Sequence, residues 1–321
     1  MQASPLLVAL ASAVTSGLAF AQGGLDESTA SCATCHREIH REWKAGAHAG
    51  AWLNPIYRNW IKTKKRPKSC HSCHIPAGVL ASAPRKPKAR AEDLDEGVRC
   101  ATCHVLDGKV QGPFGAETDA HPSQKSELFG PTSIDLCLSC HNRPPSPNLP
   151  LGRDFTGAKL RAKGKSCKGC HMPETERHMA IDPATGKPVG PKRKGRSHRP
   201  LGPSDPEFLV KAFSFSVLAP RGTDGASTTL VLANKAGHRI PGIKIRSFLA
   251  RFDALDEGGR TLWSKEERID AKNPILVLEK RSVSVDAPEG TVSFRLRIRH
   301  LFKETKTGEW QDLGLAYEAV R

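Results

Sequence analysis

The chain has 321 residues, a formal charge of +16, 38% apolar residues and only 6% aromatic ones. That length accommodates two domains of roughly 150 residues each, and the charge taken alone would favour nucleic acid or an anionic surface as a partner. Past the N-terminus no run approaches the ~20 consecutive apolar residues of a spanning helix, which excludes a bundle of membrane helices.

In chain order, the first feature is the apolar run Leu6-Leu7-Val8-Ala9-Leu10-Ala11, followed by Ala19-Phe20-Ala21 before Gln22. A hydrophobic segment leading to a small-x-small cleavage site predicts an export signal over residues 1–21. Its start carries no Lys or Arg, a departure from the usual basic opening. The expected location is the periplasm or another exported compartment, and export weighs against a nucleic-acid partner.

Next comes one motif written five times: Cys32-Ala33-Thr34-Cys35-His36, Cys70-His71-Ser72-Cys73-His74, Cys100-Ala101-Thr102-Cys103-His104, Cys137-Leu138-Ser139-Cys140-His141 and Cys167-Lys168-Gly169-Cys170-His171. CxxCH is the attachment motif of c-type haem. Two thiols three residues apart on one helical turn can each form a thioether with a haem vinyl group, and the next residue then offers its imidazole to the iron. A disulfide framework would suit an exported chain with an even cysteine count, but it leaves the histidine after every pair unexplained. Structural zinc sites combine CxxC pairs or add separate histidines, and five identical units do not group that way. The motifs therefore predict five covalently bound haem c groups that use all ten cysteines, Cys32, Cys35, Cys70, Cys73, Cys100, Cys103, Cys137, Cys140, Cys167 and Cys170. Their ten propionates would offset part of the basic excess. The runs Lys62-Thr63-Lys64-Lys65-Arg66, Arg85-Lys86-Pro87-Lys88 and Lys192-Arg193-Lys194-Gly195-Arg196 are either solvated loop charges or a means of steering an acidic redox partner.

With proximal ligands at His36, His74, His104, His141 and His171, the second axial position of each iron separates a carrier from a catalyst. Methionine can supply few of them. Only Met172 and Met179 follow the signal, and Met172 adjoins His171. Histidine is abundant, with His40, His48, His71, His121, His178, His198, His238 and His300 outside the proximal positions. His40 shares a helical face with His36 and is expected to pack beside the first haem, and His71 sits inside its own motif and is expected to be a spacer residue. His48, twelve residues after His36 on a helix predicted from Glu38 to Trp52, should serve a neighbouring haem. His121, His178 and His198 lie on loops and are expected ligands. His238 stands in the bare turn Ala236-Gly237-His238-Arg239-Ile240-Pro241-Gly242, where glycine allows close approach to a flat cofactor. His300 falls on the apolar face of an alternating strand, so core residue and ligand remain equal readings.

From about Asp205 onward there is no cysteine, and apolar alternation predicts strands at Lys211–Leu218, Thr228–Ala233, Ile245–Leu255, Ile275–Val285, Thr291–Phe302 and Leu313–Val320. The expected architecture is α+β. A pentahaem domain over residues 22–204, with short helices, loops and a haem-filled core, precedes an all-β sandwich-like domain over residues 205–321.

The first motif with Trp43 and His48, the stretch Gly112-Pro113-Phe114 to His121-Pro122 and Cys137–His141, and Cys170-His171-Met172-Pro173 resemble the multihaem cytochromes of the cytochrome c-554 and hydroxylamine oxidoreductase-like group. The resemblance covers about residues 30–205, and the Asn234–Pro241 turn looks like one in relatives with a C-terminal β-domain. It implies that His48 is distal to the third haem (His104) and His121 to the fourth (His141), with His198 or His178 serving the first. Haems two and five stay open in this scheme, and in four-haem relatives the second haem lacks a strong distal ligand. The expected function is electron transfer between redox proteins, with a membrane-bound respiratory complex as one candidate partner. Its alternatives are an oxidoreductase acting on a small nitrogen or sulfur oxyanion at one open haem, and a subunit of a larger haem assembly.

Overall fold

The computed structural model describes residues 25–116, 118–142, 150–218, 227–304 and 306–321, so the expected signal over 1–21 lies outside the described residues. Among them, no helix is long and apolar enough to cross a membrane.

The first half is built from short helices, and each CxxCH ends one of them: α1 (Thr29–Cys35), α4 (Lys68–His74), α5 (Cys100–His104), α6 (Asp135–His141) and α8 (Cys167–His171). One or two turns are marginal in isolation, so caps and tertiary contacts must hold them. Ser28 caps α1 by accepting from the Ser31 amide, and Ser166 caps α8 by accepting from the Gly169 amide. Between the motifs run α2 (Arg37–Lys44), α3 (Pro55–Lys62) and α7 (Leu151–Gly157). Asn54 caps α3, with Pro55 preset for its first turn. On α2 the buried Trp43 donates its indole N–H to the Val98 carbonyl at 2.8 Å.

The helix predicted to run from Glu38 to Trp52 stops at Lys44. Gly46 and Gly50 follow, and the chain continues in turns. Gly97, at φ 58°, lies against the carbonyls of His48 and Ala49 where a Cβ would collide with both, and Val98 donates its amide to the His48 carbonyl at 2.9 Å. The His48 carbonyl accepts from the Ala51 amide in a turn as well as from Val98 across the fold, so a tertiary contact stands where helix continuation was expected.

Small ribbons punctuate this half. Strands β1 (Val105–Leu106), β2 (Lys109–Gly112) and β3 (Ser123–Lys125) form one sheet, while β4 (Glu174–Arg177) pairs with β7 (Arg193–Arg196) around the inner pair β5 (Ala180–Ile181) and β6 (Pro188–Val189). A one-turn helix α9 (Pro206–Leu209) leads into the second half.

There, two antiparallel sheets face each other. Strands β8 (Phe213–Leu218), β9 (Thr228–Asn234) and β12 (Lys280–Val285) form one in the order β12-β9-β8. Strands β10 (Arg246–Leu255), β11 (Thr261–Ile269), β13 (Ser293–Lys303) and β14 (Trp310–Val320) form the other in the order β11-β10-β13-β14. Alternation puts Phe213, Phe215, Leu230, Leu232 and Val283 of the small sheet against Phe248, Phe252, Leu296 and Ile298 of the large one, in a single core. Strand β11 went unforeseen: its Ser264-Lys265-Glu266-Glu267-Arg268 run hides the alternation because it is an edge strand with much of its surface in water. His300 belongs to this core. It stacks on Phe248 at 4.9 Å and accepts from Arg246 at 2.8 Å through Nε2, so of its two readings the structure supports the packing one.

Candidate functional site

Four of the five motif histidines face another histidine across a gap. His36 faces His121 at 6.4 Å between ring centroids, His48 faces His141 at 6.3 Å, His104 faces His198 at 6.1 Å, and His171 faces His238 at 6.2 Å. Imidazoles in direct contact sit closer: Tyr57 lies on the His74 ring at 3.5 Å with planes 7° apart. Two metal–nitrogen bonds of about 2 Å and two ring radii of about 1 Å together span roughly 6 Å. Each of the four gaps is therefore wide enough for one iron, which the two facing imidazoles would hold between them if a haem were tethered at the adjoining cysteines. Among the described residues, no three His, Cys, Asp or Glu side chains converge as a protein-only metal site.

Backbone carbonyls fix the ring orientation. The Nδ1–H of His36 donates to Met179 at 2.7 Å, that of His74 to Ala51 at 2.7 Å, that of His104 to Gln111 at 2.8 Å and that of His171 to Leu201 at 2.7 Å. On the facing side, His198 donates to the Arg196 carbonyl at 2.9 Å and His238 to that of Arg239 at 2.8 Å, while His121 contacts the Ser123 hydroxyl at 3.0 Å. A proton held on Nδ1 leaves the Nε2 lone pair for a metal. Burial disfavours the imidazolium in the same direction. It holds His48, His74, His104, His121 and His238 below the ordinary imidazole range, and it pushes His141 and His198 down to about 4, the facing His48 and His104 adding to the effect.

The sites adjoin one another. Cys32 lies beside Cys100 and Cys137 beside Cys167, bringing the first motif beside the third and the fourth beside the fifth. Cys103 lies near Cys137, with burial pushing its thiol up to about 12, and His74 is close enough to His141 to lower its basicity.

The pairings differ from those implied by the resemblance. His48 meets His141 instead of His104, His121 meets His36 instead of His141, and the histidine opposite His104 is His198. His178 faces no motif histidine: it stands at the base of the inner ribbon, where its Nδ1–H donates to the Gly190 carbonyl at 2.8 Å. The ribbon carries the chain away there, and β7 returns it with His198. Glu42 fixes that return, accepting from the His198 amide at 2.8 Å and from the buried Arg177 at 2.9 Å. His40 packs on Trp43 at 5.3 Å and His71 stands edge-on to Trp52 at 5.0 Å, so neither enters a facing pair.

His238 reaches the fifth motif from the β-domain. Its turn lies against α7 and the residues just after it, where Gly237 leaves room for Phe155 and Leu160. Arg239 grips Asp154 twice, Nε to Oδ2 at 2.7 Å and a terminal nitrogen to Oδ1 at 2.8 Å, and its amide adds a third bond at 3.1 Å. Asn234 holds the turn from inside, donating to the carbonyls of His238, Ile275 and Leu276 and accepting from the Ala236 amide. Sequence reasoning missed Asp154 and every carbonyl acceptor. A carbonyl has no side-chain signature, and Asp154 looks like any helix-surface acid.

The family model described as cytochrome c554 and c-prime matches residues 31–105, and that of the doubled CXXCH motif matches residues 92–145. No curated protein matches the chain. Among solved structures, a penta-haem cytochrome c552 from Thermochromatium tepidum superimposes with a TM-score of 0.63 at 18% identity, covering 92% of this chain and 98% of that one. An ApaA protein from Bordetella pertussis, at 13% identity over 35% of this chain and 94% of its own, has a TM-score of 0.17, which carries no likeness of fold. With family models of cytochrome c554 and of the doubled CXXCH motif lying on residues 31–145, which carry His36, His48, His104, His121 and His141, and the fold shared with a penta-haem protein, this chain is a multihaem c-type cytochrome whose cofactor is covalently bound haem c.

Proposed function

We propose that the protein is an exported electron carrier with five haems, four of them held by His36 and His121, His104 and His198, His141 and His48, and His171 and His238. The observation that carries this reading is the set of four imidazole gaps of 6.1–6.4 Å. Bound haem c supplies a one-electron Fe(III)/Fe(II) couple. The chain's own residues do the rest. Thiols tether, carbonyls hold the Nδ1–H of His36, His104, His171, His198 and His238 so that Nε2 is left for the iron, and burial disfavours the charged imidazoles. An iron held between two histidines at each of four sites would have no place left for a substrate, which favours a carrier over a catalyst. Adjacent motifs give electrons short steps from one site to the next, between protein partners in the periplasm.

A second reading has one specific observation in its favour. Among the described residues no histidine faces His74, whose ring is covered by Tyr57. An open position there would suit a small nitrogen or sulfur oxyanion.

Electron paramagnetic resonance of the oxidised holoprotein tests both readings. Four low-spin haems and at most one high-spin haem are expected, with five haems in the denatured intact mass. His238→Ala should turn one low-spin haem high-spin, and His178→Ala none. Several high-spin haems that bind nitrite or hydroxylamine would overturn the carrier reading.

A further inference from the structure

Between Trp43 and Ala91 the sequence contains eleven Lys and Arg and no Asp or Glu, so this short stretch carries eleven of the sixteen net charges. The remainder of the chain is nearly balanced, and several of its arginines find carboxylates, as Arg177 finds Glu42 and Arg239 finds Asp154. The acid-free stretch is the housing of the second haem site, with α3, α4, Cys70, Cys73, His74 and the Ala51 carbonyl that holds His74.

Folding gathers these charges instead of dispersing them. Lys86 donates to the Ser69 carbonyl at 2.8 Å, next to Cys70, and the Ala77 amide donates to the Lys88 carbonyl at 2.9 Å, so the Arg85–Arg90 segment lies alongside the end of α4. Lys62, Lys64, Lys65, Arg66, Lys68, Arg85, Lys86 and Lys88 are all exposed. Aromatic rings stiffen the margin, with Arg58 over Trp52 at 4.5 Å and Lys64 over Trp60 at 4.2 Å, and Leu53 is 59% exposed beside them. One haem brings two propionates, too few to neutralise eleven cations. An excess remains that nothing within the stretch can pair.

We infer that this face docks an acidic redox protein, which exchanges electrons with the array through the haem attached at Cys70 and Cys73. The inference rests on the electron-transfer reading. In each encounter one electron leaves the reduced member of the pair and reduces the oxidised one, with no bond made or broken. A concentrated single-sign surface raises the encounter rate with an oppositely charged partner by about 10- to 1,000-fold at low ionic strength. The effect shrinks near 0.15 M salt, where screening acts within about 8 Å.

Stopped-flow reduction of the holoprotein by reduced acidic flavodoxin tests it, with a basic monohaem cytochrome c as the second probe. The triple variant Lys62→Glu, Lys65→Glu, Arg66→Glu is compared with Lys187→Glu, Lys192→Glu, Lys194→Glu, which removes the same charge from an exposed face elsewhere. The expected result is a fall of at least about 10-fold with flavodoxin in the first triple and a flattened salt dependence. The second triple should change less than about 2-fold. An unchanged rate in the first triple, equal falls in both, or an altered haem count or spectrum in the first would each overturn the docking assignment. The last outcome would mean that the cations serve the cofactor. Wild-type protein that exchanges electrons with neither probe would instead sink the electron-transfer reading itself.

Discussion

Asn234→Ala should uncouple the β-domain from the fifth haem site. The Asn234 side chain is 2% exposed and makes four hydrogen bonds at 2.7–3.1 Å, three of them donated to carbonyls. Two of those carbonyls have other partners: Ile275 accepts from the Ile240 amide at 2.9 Å and Leu276 from that of Glu279 at 3.1 Å. The groups deprived of this partner are the His238 carbonyl and the Ala236 amide, on either side of the turn that presents His238. A buried polar group left unpaired costs about 1–3 kcal/mol, which puts the substitution near 3 kcal/mol. Guanidinium unfolding followed by far-ultraviolet circular dichroism measures it, and the low-spin signal of one haem should broaden below the unfolding midpoint. Asn234→Asp is the sharper companion, because it keeps the acceptor for Ala236 but turns a carboxylate oxygen toward three carbonyls. It should cost at least as much as alanine. A loss under about 1 kcal/mol for alanine, or wild-type stability for aspartate, would refute the assignment of this side chain as the brace of the turn.

Three further outcomes are expected. Arg177→Met strips Glu42 of its buried cation while Glu42 still holds the His198 amide, so stability should fall by about 3 kcal/mol and the g-values of a single low-spin haem should shift. Phe252, fully buried between the sheets, should cost about 3–5 kcal/mol when cut to alanine, with five haems still attached by mass because no thiol lies in that domain. His300 is held down to about 4 in the fold, by burial first and Arg246 second, against 6.5 when unfolded. The unfolded chain therefore binds the extra proton between pH 6.5 and 4, and stability drops as pH falls through that window by at most about 3 kcal/mol. His300→Leu should flatten this acid slope in melting curves at pH 7 and 4.5, and an unchanged slope would place the acid sensitivity elsewhere.

What the sequence determined alone is the chemistry with a local cause. Two thiols and an imidazole within five residues can attach a haem wherever they lie, so all five CxxCH units were legible. So were six of the seven strands of the β-domain, because a side-chain period of two is a property of the strand itself; β11 escaped because an edge strand need not alternate. The choice of axial partner belonged to the tertiary structure. His36 and His121 stand 85 residues apart, and nothing near either one names the other. Their meeting depends on how helices of one or two turns pack around shared cofactors, and such helices have too little surface of their own to dictate that packing. His48 shows it most clearly. A helix extrapolated from Glu38 gave it a neighbouring haem but not which one, and a turn secured by Gly97 and Val98 set it opposite His141. His178 and His198 looked alike as loop histidines, and only the β4–β7 ribbon, with Glu42 and Arg177 behind it, brought one inward and left the other aside.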